Sequence, residues 1–137
     1  MPRAKIFSIF IFIFILSVSV SGLCEDISLV EKSFEKFNRS WMKKLQRIER
    51  ENFRNIKAED SGDLYRAEYI GYSREFDFSV KRTKSSLTPF IGILTYNEIK
   101  YVSIGRDKKG ALKGPFFINT RIKVKEIFRY TKGEWVY

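Results

Sequence analysis

Histidine is absent from this chain of 137 residues, cysteine occurs once, at Cys24, and proline only three times. Without imidazole there is no Ser-His-Asp or Cys-His nucleophile system, no histidine-ligated zinc and no histidine acid–base step. A lone cysteine rules out an intramolecular disulfide and a Cys-rich metal site. Nor does a phosphate-cradling loop take their place. Gly105 and Gly110 have the five-residue offset of such a loop, but Ala111 stands where its lysine belongs. The sequence therefore nominates no catalytic residue, no metal ligand and no cofactor.

Acids are also few: 16 Asp and Glu against 26 Lys and Arg, a formal net charge of +10. A chain with this balance attracts anions such as nucleic acid, anionic lipid, acidic glycans or an acidic partner. What is plentiful is aromatic, with 13 Phe and 7 Tyr. That richness favours sheet and opposes disorder.

The first residues have the three regions of a secretory signal. Arg3 and Lys5 supply the positive start, residues 6–16 are apolar except for Ser8, and residues 17–22 form a small-residue tail. Small residues at the −3 and −1 positions allow cleavage after Ser21 or Gly22, so residues 1–22 are expected to be removed and the product to be periplasmic or secreted. Two alternatives compete. An apolar run extended to Leu23 is just long enough for an uncleaved membrane anchor. Cys24 stands where a lipobox cysteine would, although the large Leu23 precedes it, so a lipoprotein tethered through Cys24 is the other reading.

The remainder, residues 26–137, is expected to form a single α+β domain, with a long helix near residues 28–57 and a sheet over residues 64–137. Ser28 and Glu31 have capping-box spacing, with Asp26 adding charge near the helix start. Val30, Phe34, Phe37, Trp41, Leu45 and Ile48 then recur at helical spacing, an aromatic-rich buried stripe. Asn38-Arg39-Ser40 matches a glycosylation acceptor, a coincidence if it lies in mid-helix. Opposite the stripe, Lys32, Lys36, Arg39, Lys43, Arg47, Arg50, Arg54 and Lys57 form a basic ridge. This ridge is the candidate anion-binding surface, with a solvated helix face as its bland counterpart.

Periodicity of two marks the strands. Residues 64–72 make the first; then Phe76, Phe78 and Val80 alternate with polar neighbours. The run FIGILTY, residues 90–96, is apolar on both faces, which predicts a central strand covered on both sides. Pro89 fits only its start, and Gly92 is expected under a large neighbour or at a bulge. Asn97 and Glu98 are read as a turn into another strand ending near Ile104. Residues 106–114 are read as a charged surface loop, residues 116–130 as a long strand, and residues 131–133 as a hairpin turn into a closing strand that contains Trp135. About six antiparallel strands result. The long strand carries a second basic row, Arg121, Lys123, Lys125 and Arg129.

One long helix laid across a curved antiparallel sheet resembles the cystatin-like and NTF2-like folds. SSLTPFIGILTY and KEIFRYTKGEWVY resemble segments of small exported bacterial proteins. The resemblance implies a fold and a compartment but no activity. The Gln-x-Val-x-Gly loop of cystatin inhibitors is missing, and so is the histidine that NTF2-like enzymes often use.

Three functions remain in competition. The first is an exported, non-catalytic domain that binds a partner protein or an anionic envelope surface. The second is a small-ligand carrier or enzyme with a pocket on the concave sheet face, drawing on Glu68, Asp77, Tyr96, Tyr101 or Glu126. The third is binding of nucleic acid, if the chain is not exported.

Overall fold

The computed structural model describes residues 26–137, so the expected signal sequence with its expected cleavage sites, and Cys24, lie outside the described residues. Helix α1 (Ile27–Arg54) starts where Asp26 caps it, Asp26 Oδ1 accepting from the Ser28 backbone N–H at 3.0 Å. Ser28 is already inside the helix, so the Ser28–Glu31 capping box does not form. At the other end the backbone and side-chain amides of Asn55 both donate to the Glu51 carbonyl, at 3.1 and 2.9 Å. Asparagine here satisfies a terminal carbonyl, and the helix stops short of Lys57.

The strands are β1 (Ala58–Asp60), β2 (Tyr65–Tyr72), β3 (Asp77–Arg82), β4 (Phe90–Gly105), β5 (Phe117–Thr131) and β6 (Glu134–Val136), with a short helix α2 (Lys108–Lys113) between β4 and β5. All pair antiparallel in one curled sheet, in the order β1-β2-β4-β5-β6, with β3 on β4. The fold is thus α+β, one long helix on a six-stranded sheet. The count of six is as expected, but its partition differs. β1 arises just after the helix, and residues 90–105 form one strand where two were expected.

The missing turn at Asn97 and Glu98 has a structural reason. β2 and β3 run end to end along the same edge of β4: Tyr72 pairs with Glu98 and Asp77 with Thr95. Residues 73–76 therefore face only Tyr96 and Asn97, a bulge with two extra residues on the outer strand. Ser73 holds it, its N–H donating to the Asn97 carbonyl at 2.8 Å and its Oγ accepting from the Asn97 N–H at 2.9 Å. With Lys123 of β5 opposite Asn97 on the other side, the chain has no freedom to reverse there. The residues expected to form a surface loop likewise include a helical turn, α2, because Asp107 caps it by accepting from the Gly110 N–H at 2.7 Å.

α1 covers one face of the sheet. Phe90, Gly92 and Leu94 are buried under it, whereas Ile91, Ile93 and Thr95 are half-buried on the other face. β4 is thus paired on both edges but covered on one face, a correction to the two-sided burial expected from its apolar run. Antiparallel sheets tolerate this arrangement. Gly92 does lie under a large neighbour: a Cβ there would come within 2.3 Å of the Phe34 ring. That ring is fully buried, 4.3 Å from the Trp135 ring and 5.9 Å from that of Phe128. Trp135 is fixed in turn by its Nε1–H, which donates to Ser33 Oγ at 3.1 Å. The C-terminal strand is in this way tied to the first turns of the helix.

Candidate functional site

The basic ridge is built by helical spacing. Seven of its eight members, Lys32, Lys36, Arg39, Lys43, Arg47, Arg50 and Arg54, lie on α1, and all seven are exposed. Successive steps of three and four residues keep them within one narrow sector, on the far side of the helix from Phe34 and Leu45. At a rise of about 1.5 Å per residue the row runs roughly 33 Å. Lys57 lies past the helix end and leaves the row. Two members are paired within the helix: Arg39 with Glu35 at 2.6 Å and Arg54 with Glu51 at 2.9 Å. Lys32, Lys36, Lys43, Arg47 and Arg50 make no ion pair among the described residues.

Tertiary structure adds residues that spacing did not mark. Lys44 joins Ser40, Lys43, Arg47 and Arg50 around a shallow depression of about 330 Å³. Its Nζ also stands 4.7 Å from the centre of the Trp41 ring, a cation–π contact. Further along, Arg74 reaches the helix from the bulge after β2 and, with Arg50 and Arg54, borders a groove floored by Phe53 and Tyr69. Lys44 is legible as one more helical cation. Arg74 carries no local signal, since only the bulge brings it to α1.

The second basic row points the other way. In β5, Phe128 and Tyr130 face α1, so by alternation Arg121, Lys123, Lys125 and Arg129 lie on the outer face of the sheet. The two rows thus occupy opposite faces of a two-layer domain and cannot touch one flat surface together.

Of the five polar groups considered for a concave pocket, one pair meets. The Tyr96 hydroxyl donates to Glu126 Oε1 at 3.0 Å. Burial, and then this hydrogen bond to a carboxylate, push the Tyr96 hydroxyl well above the usual tyrosine range. It is therefore a neutral donor at any physiological pH. Asp77 is exposed opposite Thr95, and Tyr101 stacks on Tyr69 at 4.8 Å. Glu68 is exposed, bonded to Arg66 at 3.2 Å and to Lys100 at 3.4 Å. Desolvation raises its pKa, but the Arg66 hydrogen bond and the Lys100 charge together outweigh that and hold it below the usual glutamate range. The concave side itself is filled by Phe34, Phe37 and Trp41 packed against Phe128. A cavity of about 470 Å³ lies instead at the C-terminal end of α1, between Asn52, Asn55, Glu59, Arg66, Glu68 and Tyr69.

Asn38 of the acceptor tripeptide is fully buried, so no glycan can reach it in this fold. Among the described residues, no three His, Cys, Asp or Glu side chains gather as a metal site would require. No helix among them is long and apolar enough to cross a membrane.

Fold and surface define a small α+β domain with two cationic faces. No protein-family model, curated protein or solved structure matches the chain.

Proposed function

We propose that the protein is an exported, non-catalytic binding domain that engages an anionic surface through the ridge of α1. The observation that carries this reading is the row of seven exposed cations with no acid inside its sector, five of them without an ion pair among the described residues. Solvated helix faces commonly alternate charge sign and so neutralise themselves along their length. This one concentrates a single sign along a roughly 33 Å line, a shape suited to lipid headgroups or a polyanion rather than to a small ligand. Export rests on the leader: the cations Arg3 and Lys5, the apolar core and the small-residue tail.

The test is co-flotation with phosphatidylglycerol vesicles, compared with neutral phosphatidylcholine vesicles, using the chain recovered after expression with its own leader. Each ridge cation near an anionic membrane contributes about 1 kcal/mol. Replacing Lys36, Lys43 and Arg47 together by Glu should therefore weaken phosphatidylglycerol binding by at least about a hundredfold. Binding to the neutral vesicles should not change, and raising the salt should mimic the substitution. Undiminished phosphatidylglycerol binding by the triple variant would defeat the assignment.

A further inference from the structure

The opposite face of the molecule carries an unfinished sheet. β5 pairs with β4 along one edge, but on its other edge β6 reaches only Arg129, Tyr130 and Thr131. From Phe117 to Phe128 that edge has no strand beside it among the described residues, a length of roughly 40 Å. Backbone N–H and C=O groups along such an edge are a template for another strand. The side chains flanking it are also open to solvent. Residues 117–123 are exposed without interruption, and Ile122 and Ile127 are 55% and 58% exposed.

From the free edge of β5 we infer a docking site for an extended acidic segment of a partner protein, added to the sheet as a further antiparallel strand. The occupant follows from alternation. On the outer face an incoming strand would meet Arg121, Lys123 and Lys125, with no acid in the row. On the other face it would meet Ile122 and Val124, and beyond them Glu126, whose carboxylate already accepts from the Tyr96 hydroxyl. A strand that alternates acidic with aliphatic residues satisfies both rows at once, because opposite charges and apolar pairs across strands are each favourable. A second copy of this chain does not fit. Two-fold antiparallel pairing keeps outer face beside outer face and sets one copy's cationic row against the other's, which is destabilising. The same lysines that keep the edge from pairing with itself select a partner of opposite charge.

The probe is a capped ten-residue peptide of alternating Glu and Val, added to the full chain while backbone amide exchange is followed over residues 117–128. The expected result is at least tenfold slower exchange at alternate amides, those pointing away from β4, with the effect fading as salt is raised. A Lys-Val peptide should give no protection. The same Glu-Val peptide N-methylated at each Glu keeps the charge but loses the N–H groups that would face β5, and should also fail; equal protection by it would reduce the site to charge attraction and overturn strand addition. Replacing Lys123 and Lys125 by Glu should abolish protection while leaving the thermal midpoint in place. The Lys36, Lys43 and Arg47 ridge variant should keep it, which separates this site from the one on α1. Three other outcomes overturn the inference: no protection by the Glu-Val peptide, protection without peptide that grows with protein concentration, or the same amides protected by phosphatidylglycerol vesicles instead.

Discussion

α1 meets the sheet through two unlike seams. Over its first half Phe34, Phe37 and Trp41 pack ring against ring with Phe128, Trp135 and Tyr137. Over its second half Met42, Leu45 and Ile48 continue the apolar contact, and a polar seam joins it toward the helix end. Glu49 accepts from the Tyr72 N–H at 3.4 Å and pairs with Arg74 at 3.5 Å, and Asn52 Nδ2 donates to the Ile70 carbonyl at 2.9 Å. Gly71 makes room for this approach, since a Cβ there would stand 2.8 Å from the Tyr101 ring and 3.0 Å from Glu49. An aromatic seam gains its stability from area removed from water and is tolerant of direction. The polar seam contributes less free energy, but its hydrogen bonds have one geometry. The first half therefore holds the helix on, and the second fixes where its end, and with it the ridge, comes to lie.

Truncating the aromatic seam should have the largest effect. Trp135→Ala removes a buried indole and the bond to Ser33, and should cost about 3 to 5 kcal/mol in urea unfolding followed by circular dichroism. A loss below about 1 kcal/mol would mean that the C-terminal strand is not part of the stabilising core. In the polar seam, Asn52→Ala breaks one hydrogen bond beside a solvent-accessible cavity, so about 1 kcal/mol is expected from the same measurement. A cost equal to that of Trp135→Ala would erase the distinction between the seams. The sharpest variant is the smallest. Asn38 is a polar residue within the aromatic half, fully buried, and neither atom of its side-chain amide has a hydrogen-bond partner among the described residues. Asn38→Leu should be neutral or stabilising within about 1 kcal/mol, because an unpaired buried amide contributes nothing to set against its desolvation. A clear destabilisation would show that the amide is satisfied by a buried water.

Much of the fold was legible in local pattern. The recurrence of Val30, Phe34, Phe37, Trp41, Leu45 and Ile48 marked α1 and its buried stripe, and all six are buried or half-buried in the structure. The pairing of Trp135 with the sheet also followed from sequence, whereas for Gly92 the sequence offered a large neighbour or a bulge and the Phe34 ring decided between them. The helix start was misplaced by the rival signal of Ser28 and Glu31, because Asp26 caps just as well and lies two residues earlier. Asn97 and Glu98 looked like a turn because their residue types favour one. Pairing on both sides, through Ser73 and Lys123, overrode that preference.

The candidate surfaces divide in the same way. Sequence alone determined the strand row and all of the ridge except Lys57, since helical and strand periods place side chains on a face without reference to anything distant. Tertiary structure decided that the rows point apart, that Arg74 joins the helix side, that Tyr96 meets Glu126, and that most of one β5 edge has no strand beside it among the described residues. These outcomes depend on which strands pair and how far each pairing runs. Such pairings are long-range choices set by the packing of α1 against the whole sheet, and no window of sequence contains them.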